Sequence, residues 1–304
     1  MLYSAPAQSF MSVLLADHFK EFDKENLDVE LQIVPTTDGS VLTAQGKAQV
    51  QLSGFNAAAF NLLARDNSPL KYTTTAAQEQ PPSEGLYVNN DFVKDGNIDP
   101  VKIRGQQVSF GPGAGSFGSP GAGSFYLAAK KVGLPLDSVV LANIPGSIDV
   151  ANALIRGQIA GGSLFGAAVN VLQPEKSRFT LVQQSPPIAL FLSNSQWLKD
   201  EPEAAAAFFR AIMRTNRTYL QGDYLADKTV LDAQAQILGS TPENVIQSGL
   251  AKYSADLDAA NQKQLFPVYQ NMFREAKVLS YDKTLTVDDI FDESPVAAVR
   301  DGKY

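Results

Sequence analysis

No cysteine occurs among the 304 residues, and there is one histidine and one tryptophan. Without cysteine, disulfide staples, thiolate nucleophiles and cysteine-held metals are excluded. The single histidine, His18, stands between Asp17 and Phe19 on a helical stretch, where its spacing puts it near the solvent edge. A Ser-His-Asp relay would have to use it, and no Gly-x-Ser-x-Gly elbow stands at a strand-to-helix turn. Positive charge is also scarce, with 25 Lys and Arg against 32 Asp and Glu and a net charge of −7. That balance lacks the basic stripe of a general nucleic-acid binder. No run approaches the roughly 18 apolar residues of a membrane span. No basic segment precedes an apolar signal-like stretch either. Metal binding would rest on carboxylates alone, and Asp288-Asp289 with Asp292-Glu293 reads better as a solvated cap. The expectation is no catalytic set, no metal and no cofactor.

What is present is a sizeable core and a doubled loop. Hydrophobic residues make up 44% of the chain and charged ones 19%, enough for two ordinary domains. Pro112-Gly113-Ala114-Gly115-Ser116-Phe117 recurs as Pro120-Gly121-Ala122-Gly123-Ser124-Phe125. The pair follows a β-branched stretch at 107–109 and runs into a helical pattern over 125–132. A strand, a glycine turn and a helix start form an anion-accepting corner, because the first-turn N–H groups point outward. The loop lacks the Gly-Lys-Ser/Thr ending of a nucleotide-hydrolysing loop. Gly113, Gly115 and Gly118 fit a dinucleotide fingerprint only weakly, since no acidic ribose partner follows on the next strand.

Along the chain, strands are expected at 2–4, 29–34, 50–52 and 70–74. They alternate with helices over 10–25, after a turn at 36–40, and over 53–65. That order implies a parallel sheet covered by helices, with ligand loops at 5–9, 36–40, 53–56 and 74–78. A second unit begins near Glu84. It holds the doubled loop, a strand at 138–141, a turn at Pro145-Gly146-Ser147, a helix through Arg156 and a strand at 159–161. Extended stretches follow at 180–184 and 188–193. From about residue 200 the pattern is helical, with helices through 220 and at 227–238, 241–253, 259–277 and 287–291. Two α/β units with polar loops facing each other make a cleft that closes by hinge motion.

Five segments, at 16–31, 42–52, 120–135, 153–161 and 197–220, follow one another in an order that resembles the substrate-binding proteins of ABC importers. The group is the one serving nitrate, sulfonates, taurine and pyrimidine precursors. The resemblance covers most of the chain. It implies an α/β, two-lobe type II periplasmic-binding-protein fold. Lobe one would be 1–83 and 195–304, lobe two 90–183, and the hinges 84–89 and 184–194. It also implies that Ala7, Gln8, Ser9, Ser53, Gly54, Phe55, Asn56, Gly121, Ala122, Gly123, Ser124 and Phe165 line the cleft. The implied partners are a small-molecule solute and an ABC importer permease, with the protein a monomer and no nucleic acid. The implied location is periplasmic, or extracytoplasmic and membrane-anchored, with the export signal not part of this sequence.

Two departures bear on the ligand. The duplication lengthens the lobe-two loop by about eight residues, so either copy could meet the solute. The run from Ser163 to Ala168 is small and neutral, which suggests a roomy apolar pocket. None of the cleft loops holds an arginine; Arg65, Arg104, Arg156 and Arg178 fall at element ends, where surface roles are expected. An organic anion, a sulfonate or an aromatic or aliphatic carboxylate, would then be held by helix N-termini and hydroxyls. The alternatives are a neutral aromatic solute packed on Phe55, Phe117 or Phe125, and Phe165, or an enzyme of pyrimidine-precursor type on the same scaffold. A sensor or effector domain is a third. The organic anion is the favoured class.

Overall fold

A computed structural model describes residues 1–111, 116–144 and 146–302. The first copy of the glycine loop at 112–115 and Pro145 of the expected turn lie outside the described residues. The first sheet begins with β1 (Leu2–Tyr3), followed by helix α1 (Met11–His18), β2 (Gln32–Ile33) and α2 (Thr36–Ala44). Then come β3 (Val50–Ser53), α3 (Ala57–Leu63) and β4 (Leu70–Thr75). Strands β2, β1 and β3 run parallel, as the alternating pattern implied.

The rest of the first sheet corrects the all-parallel expectation. A strand from far along the chain, β12 (Leu190–Asn194), lies between β3 and β4 and is antiparallel to both. All five of its residues are buried, as a central strand covered on both faces requires. The expected helix over 10–25 ends at His18, since Lys20 and Asn26 take left-handed backbone (φ 58° and 54°). That break turns Glu21 and Glu25 toward Arg214 and Arg210, a long-range pairing that local periodicity does not show. The expected turn at 36–40 is itself the start of α2. Strand β2 is a short exposed edge rather than a half-buried strand over 29–34.

The second sheet has the order β11-β5-β10-β8-β9. Its strands and helices are β5 (Gly85–Asn89), a small hairpin of β6 (Val93–Lys94) and β7 (Asn97–Ile98), β8 (Gln107–Ser109), α4 (Ala122–Lys131) and β9 (Val140–Leu141), then α5 (Ser147–Ile155), β10 (Gly161–Leu164), α6 (Ala167–Leu172) and β11 (Phe179–Gln184). Here β5 is the antiparallel member, paired with β10 and β11. The chain thus passes between the sheets twice, at 76–84 and 185–189, and each passage delivers an antiparallel strand. Helix α4 starts at Ala122, inside the second glycine repeat, which therefore forms the helix's first turn rather than a free loop.

The remaining helices are α7 (Ser195–Asp200), α8 (Pro202–Tyr219), α9 (Lys228–Leu238), α10 (Pro242–Ser248), α11 (Ala260–Glu275), α12 (Val287–Ile290) and α13 (Ser294–Arg300). Helix α10 is shorter than expected because Gly249 leaves helical space at φ 82°. The acidic run acts as caps, with Thr286 and Asp289 bonding reciprocally and Asp292 accepting from the Ser294 N–H. Among the described residues no helix is long and apolar enough to cross a membrane. One apolar cluster runs through both sheets. Phe55, Phe60 and Tyr72 meet Phe266, Tyr269 and Phe273 of α11, and the same cluster continues to Phe110, Phe117 and Phe125.

Candidate functional site

Strand β3 ends at Ser53, whose hydroxyl donates to Gly54 O. Gly54 is pressed against the second glycine repeat; a Cβ there would lie 2.7 Å from Pro120 Cβ and 2.8 Å from Ile188 Cδ1. Asn56 caps α3, its Oδ1 accepting from the Ala59 N–H at 2.9 Å. The Ala57 N–H donates to Gly118 O at 2.9 Å. The start of α3 is therefore stitched directly to the glycine segment of the other sheet. Phe55 turns away from this seam, fully buried and edge-on to Phe60 and Tyr72.

On the opposite side the repeat is fixed by its lack of side chains. A Cβ at Gly121 would sit 2.0 Å from the main-chain oxygen of Phe110, so only glycine fits that approach. Ser124 Oγ and Ser163 Oγ lie 2.9 Å apart, and both donate to Gly121 O (3.0 and 2.9 Å). Gly123 faces the Tyr269 ring, and Tyr269 OH donates to Pro120 O at 3.1 Å. Ala122 is buried. Phe165 is half-buried and closes on Gly121, its Cε2 3.4 Å from where a Cβ would stand. Gly54, Asn56, the 121–124 turn and Phe165 are thus brought to one seam, with the turn in the middle.

Gln8 and Ser9 are buried in a 3-10 turn before α1. Ala7 opens that turn, its carbonyl accepting from the Phe10 N–H. The Gln8 side chain points to the end of α10, donating to Val245 O and Gly249 O (3.4 and 3.3 Å). The main-chain oxygen of Gln8 accepts from Tyr253 OH. Many of the N–H groups expected to accept an anion are already engaged. Ala122 and Gly123 donate to the carbonyls of Ser119 and Pro120, and Ala59 to Asn56. Arg65, Arg104, Arg156 and Arg178 are exposed, as the sequence suggested.

The site residue that sequence reading did not single out is Glu84, at the end of the first passage between the sheets. It is buried, and its Oε1 accepts from the Gly166 N–H at the start of α6 (2.9 Å). Its main-chain oxygen accepts from the Ser185 N–H on the second passage (2.9 Å), so Glu84 ties both crossings together. Burial pushes its carboxyl up to about 7, with the Gly166 N–H partly offsetting that. Burial, and then the Glu84 charge, push Tyr87 up to about 12. The available signal was a lone acid between Pro81-Pro82 and the apolar strand Leu86-Tyr87-Val88. Buried hydroxyls at Ser109, Ser119 and Ser185 and the amide oxygen of Gln8 have no hydrogen-bond partner among the described residues. No cluster of three His, Cys, Asp or Glu side chains suited to a metal occurs among the described residues. The arrangement offers hydroxyls, amide groups and one carboxyl.

No protein-family model and no curated protein matches the chain's sequence. Solved structures share its fold over nearly the whole length. The periplasmic nitrate-binding protein NrtA from Synechocystis PCC 6803 is 12% identical, with 99% of this chain and 88% of that one covered and a TM-score of 0.77. The alkanesulfonate-binding protein SsuA from Xanthomonas axonopodis pv. citri, bound to MOPS, is 14% identical, with 96% and 98% covered and a TM-score of 0.66. The desulfurization enzyme DSZB is 14% identical, with 100% and 99% covered and a TM-score of 0.68. The chain therefore has the two-lobe α/β fold of these proteins, at identities that speak for the fold alone.

Proposed function

We propose that the chain is an extracytoplasmic solute-binding protein that closes two lobes on a small organic molecule and delivers it to an ABC importer permease. Lobe one would comprise 1–83 and 195–304 and lobe two 90–183; of the expected hinge segments 84–89 and 184–194, Gly85–Asn89 and Leu190–Asn194 are sheet strands, so we place the hinges in the passages at 76–84 and 185–189. The observation that carries this reading is the seam itself. A glycine turn of the second sheet packs on the capped start of α3 from the first, with the two chain passages beside it. Likeness to nitrate- and sulfonate-binding proteins along both sheets supports the same reading. The solute is an organic acid, a sulfonate or a carboxylate, whose oxygens meet hydroxyls such as those of Ser109 and Ser119, which have no hydrogen-bond partner among the described residues. The protein acts as a monomer without catalysis. The DSZB fold neighbour is an enzyme, and a Cys-to-Ser mutant of it is known with biphenyl-2-sulfinic acid bound. This chain has no cysteine to take such a place.

Thermal-shift screening against sulfonates, aromatic acids and pyrimidines tests the proposal. A stabilising compound recovered unchanged is the expected result. Product formation from any of them would replace the binding protein by an enzyme.

A further inference from the structure

Helix α11 is fastened to the first sheet but reaches into the second unit. Its Phe266 and Phe273 rings pack on Phe60, with centroids 5.3 and 5.0 Å away. The Gln262 amide donates to Ala77 O. The segment after the helix is held by Asn61, which donates to Val278 O and accepts from the Ser280 N–H. Across the seam, α11 meets one face of α4. Gly123, Tyr126 and Lys130 follow one another at spacings of three and four and so share a side of that helix. A Cβ at Gly123 would collide with the Tyr269 hydroxyl, so the two helices cross this closely only with glycine there.

The far end of the crossing holds a charge. Glu275 Oε1 accepts from Tyr126 OH at 3.0 Å and from Lys130 Nζ at 2.9 Å. The Lys130 ammonium also lies 5.2 Å from the centre of the Tyr126 ring. Burial, and then the bond to Glu275, raise the Tyr126 phenol above its ordinary value, so it keeps its proton and donates at neutral pH. Among the described residues, Lys130–Glu275 is the one ion pair that joins the two units. Every other pair has both partners in 1–83 and 195–304, or both in 90–183. The Lys130 and Glu275 side chains are 53% and 44% exposed, at a crevice of about 600 Å³ between the 133–137 turn and the end of α11, so dissolved ions reach them. An exposed pair adds little to global stability. This one is lost whenever α4 leaves α11, because neither unit holds both partners.

We propose that Glu275 is a latch on the closed arrangement, a positioning residue that holds α4 against α11 through Tyr126 and Lys130 and makes lobe closure sensitive to ionic strength. The inference rests on the solute-binding reading and concerns the regulation of its seam. The bound form is the closed one, so whatever weakens the latch weakens the grip on the solute by up to the same factor. Salt does this by screening the pair.

Amide exchange followed by NMR on the full chain, without solute, is the test. The Ala57 N–H is the reporter of seam opening, because its acceptor, Gly118 O, lies across the seam. Amides of the central strand β12 report global unfolding. The parent, Glu275→Gln and Lys130→Met are compared at about 20 mM and about 500 mM salt. In the parent, Ala57 exchange should quicken about two- to threefold with salt. At low salt each variant should exchange at Ala57 about two- to fivefold faster than the parent, with little further response to salt and a smaller change in β12. An Ala57 amide that opens ahead of β12 but ignores both substitutions and salt overturns the latch and leaves the solute-binding reading standing. An Ala57 amide that exchanges only in step with β12 in all three proteins shows no parting of the lobes and overturns both.

Discussion

At the scale of single residues, Glu84 carries the sharpest prediction. Its carboxyl titrates near 4.5 when unperturbed and is pushed up to about 7 in the fold. Between those values the native state holds a proton that the unfolded chain has lost. Stability from this group is therefore complete below about pH 4.5 and is lost as pH rises through about 7, on the order of 3 kcal/mol in all. Glu84→Gln removes the dependence. Thermal melts should show the variant level with the parent near about pH 5 and about 5 °C more stable near about pH 8.5. The same gap at both pH values would mean that the carboxyl does not ionise in a buried site. The local sequence shows only a lone acid between two prolines and an apolar strand, while its hydrogen-bond partners Gly166 and Ser185 lie 82 and 101 positions away in the chain.

Among elements, the turn after α1 and helix α8 are joined by an ionic lattice. Arg214 donates to Glu21 Oε2 (2.6 Å), Glu21 O (2.8 Å) and Glu25 Oε1 (2.5 Å), and Arg210 donates to Glu25 (2.8 Å). Burial opposes ionisation of both glutamates. Hydrogen bonds from Arg214, Lys24 and Tyr219 to Glu21, and from Arg210 and Arg214 to Glu25, nonetheless hold both carboxyls below their ordinary value. Arg214→Ala leaves Glu21 buried with weaker partners and should cost roughly 2–3 kcal/mol. That is less than for a fully enclosed pair, since the guanidinium is partly exposed. Urea unfolding near pH 7 measures the loss, and near about pH 3 the gap should narrow as both carboxyls take up protons. An unchanged midpoint at neutral pH would show the lattice to be decorative.

This scale also shows what could be read beforehand. The stretches at 50–52, 70–74 and 107–109 became strands because their β-branched, aromatic and leucine residues suit a pleated sheet, and nearly all of their positions are buried. Asp227, Thr241 and Thr286 capped helices as short oxygen-bearing side chains do. The end of α1 at His18 was hidden, because Phe19 and Phe22 continue the apolar period while the backbone turns away toward Arg214. Of the expected site residues, Gly54, Asn56, the 121–124 turn and Phe165 share one seam, whereas the Phe55 ring is spent on the core. A phenylalanine looks the same in sequence whether it serves a pocket wall or a core.

For the whole molecule, the continuous apolar cluster from Phe55 through Tyr269 to Phe125 describes a closed arrangement. Opening a cleft along the seam would separate Ala57 from Gly118 and Gly54 from Pro120. Small-angle scattering checks this. With a bound solute the radius of gyration should be close to about 19 Å, the value for a compact chain of this length, and it should be larger without solute. Equal radii in the two states would remove hinge closure from the account.

The position of β12 has a further consequence for how the polypeptide is made. Residues 190–194 bridge β3 and β4, so the earlier strands have no complete partner set while the nascent chain is shorter than that. The unit formed by 85–184, in contrast, contains every strand of its own sheet and can assemble as it leaves the ribosome. The half that is translated first is thus finished last, waiting as two unjoined pieces for a ribbon emitted more than a hundred residues later.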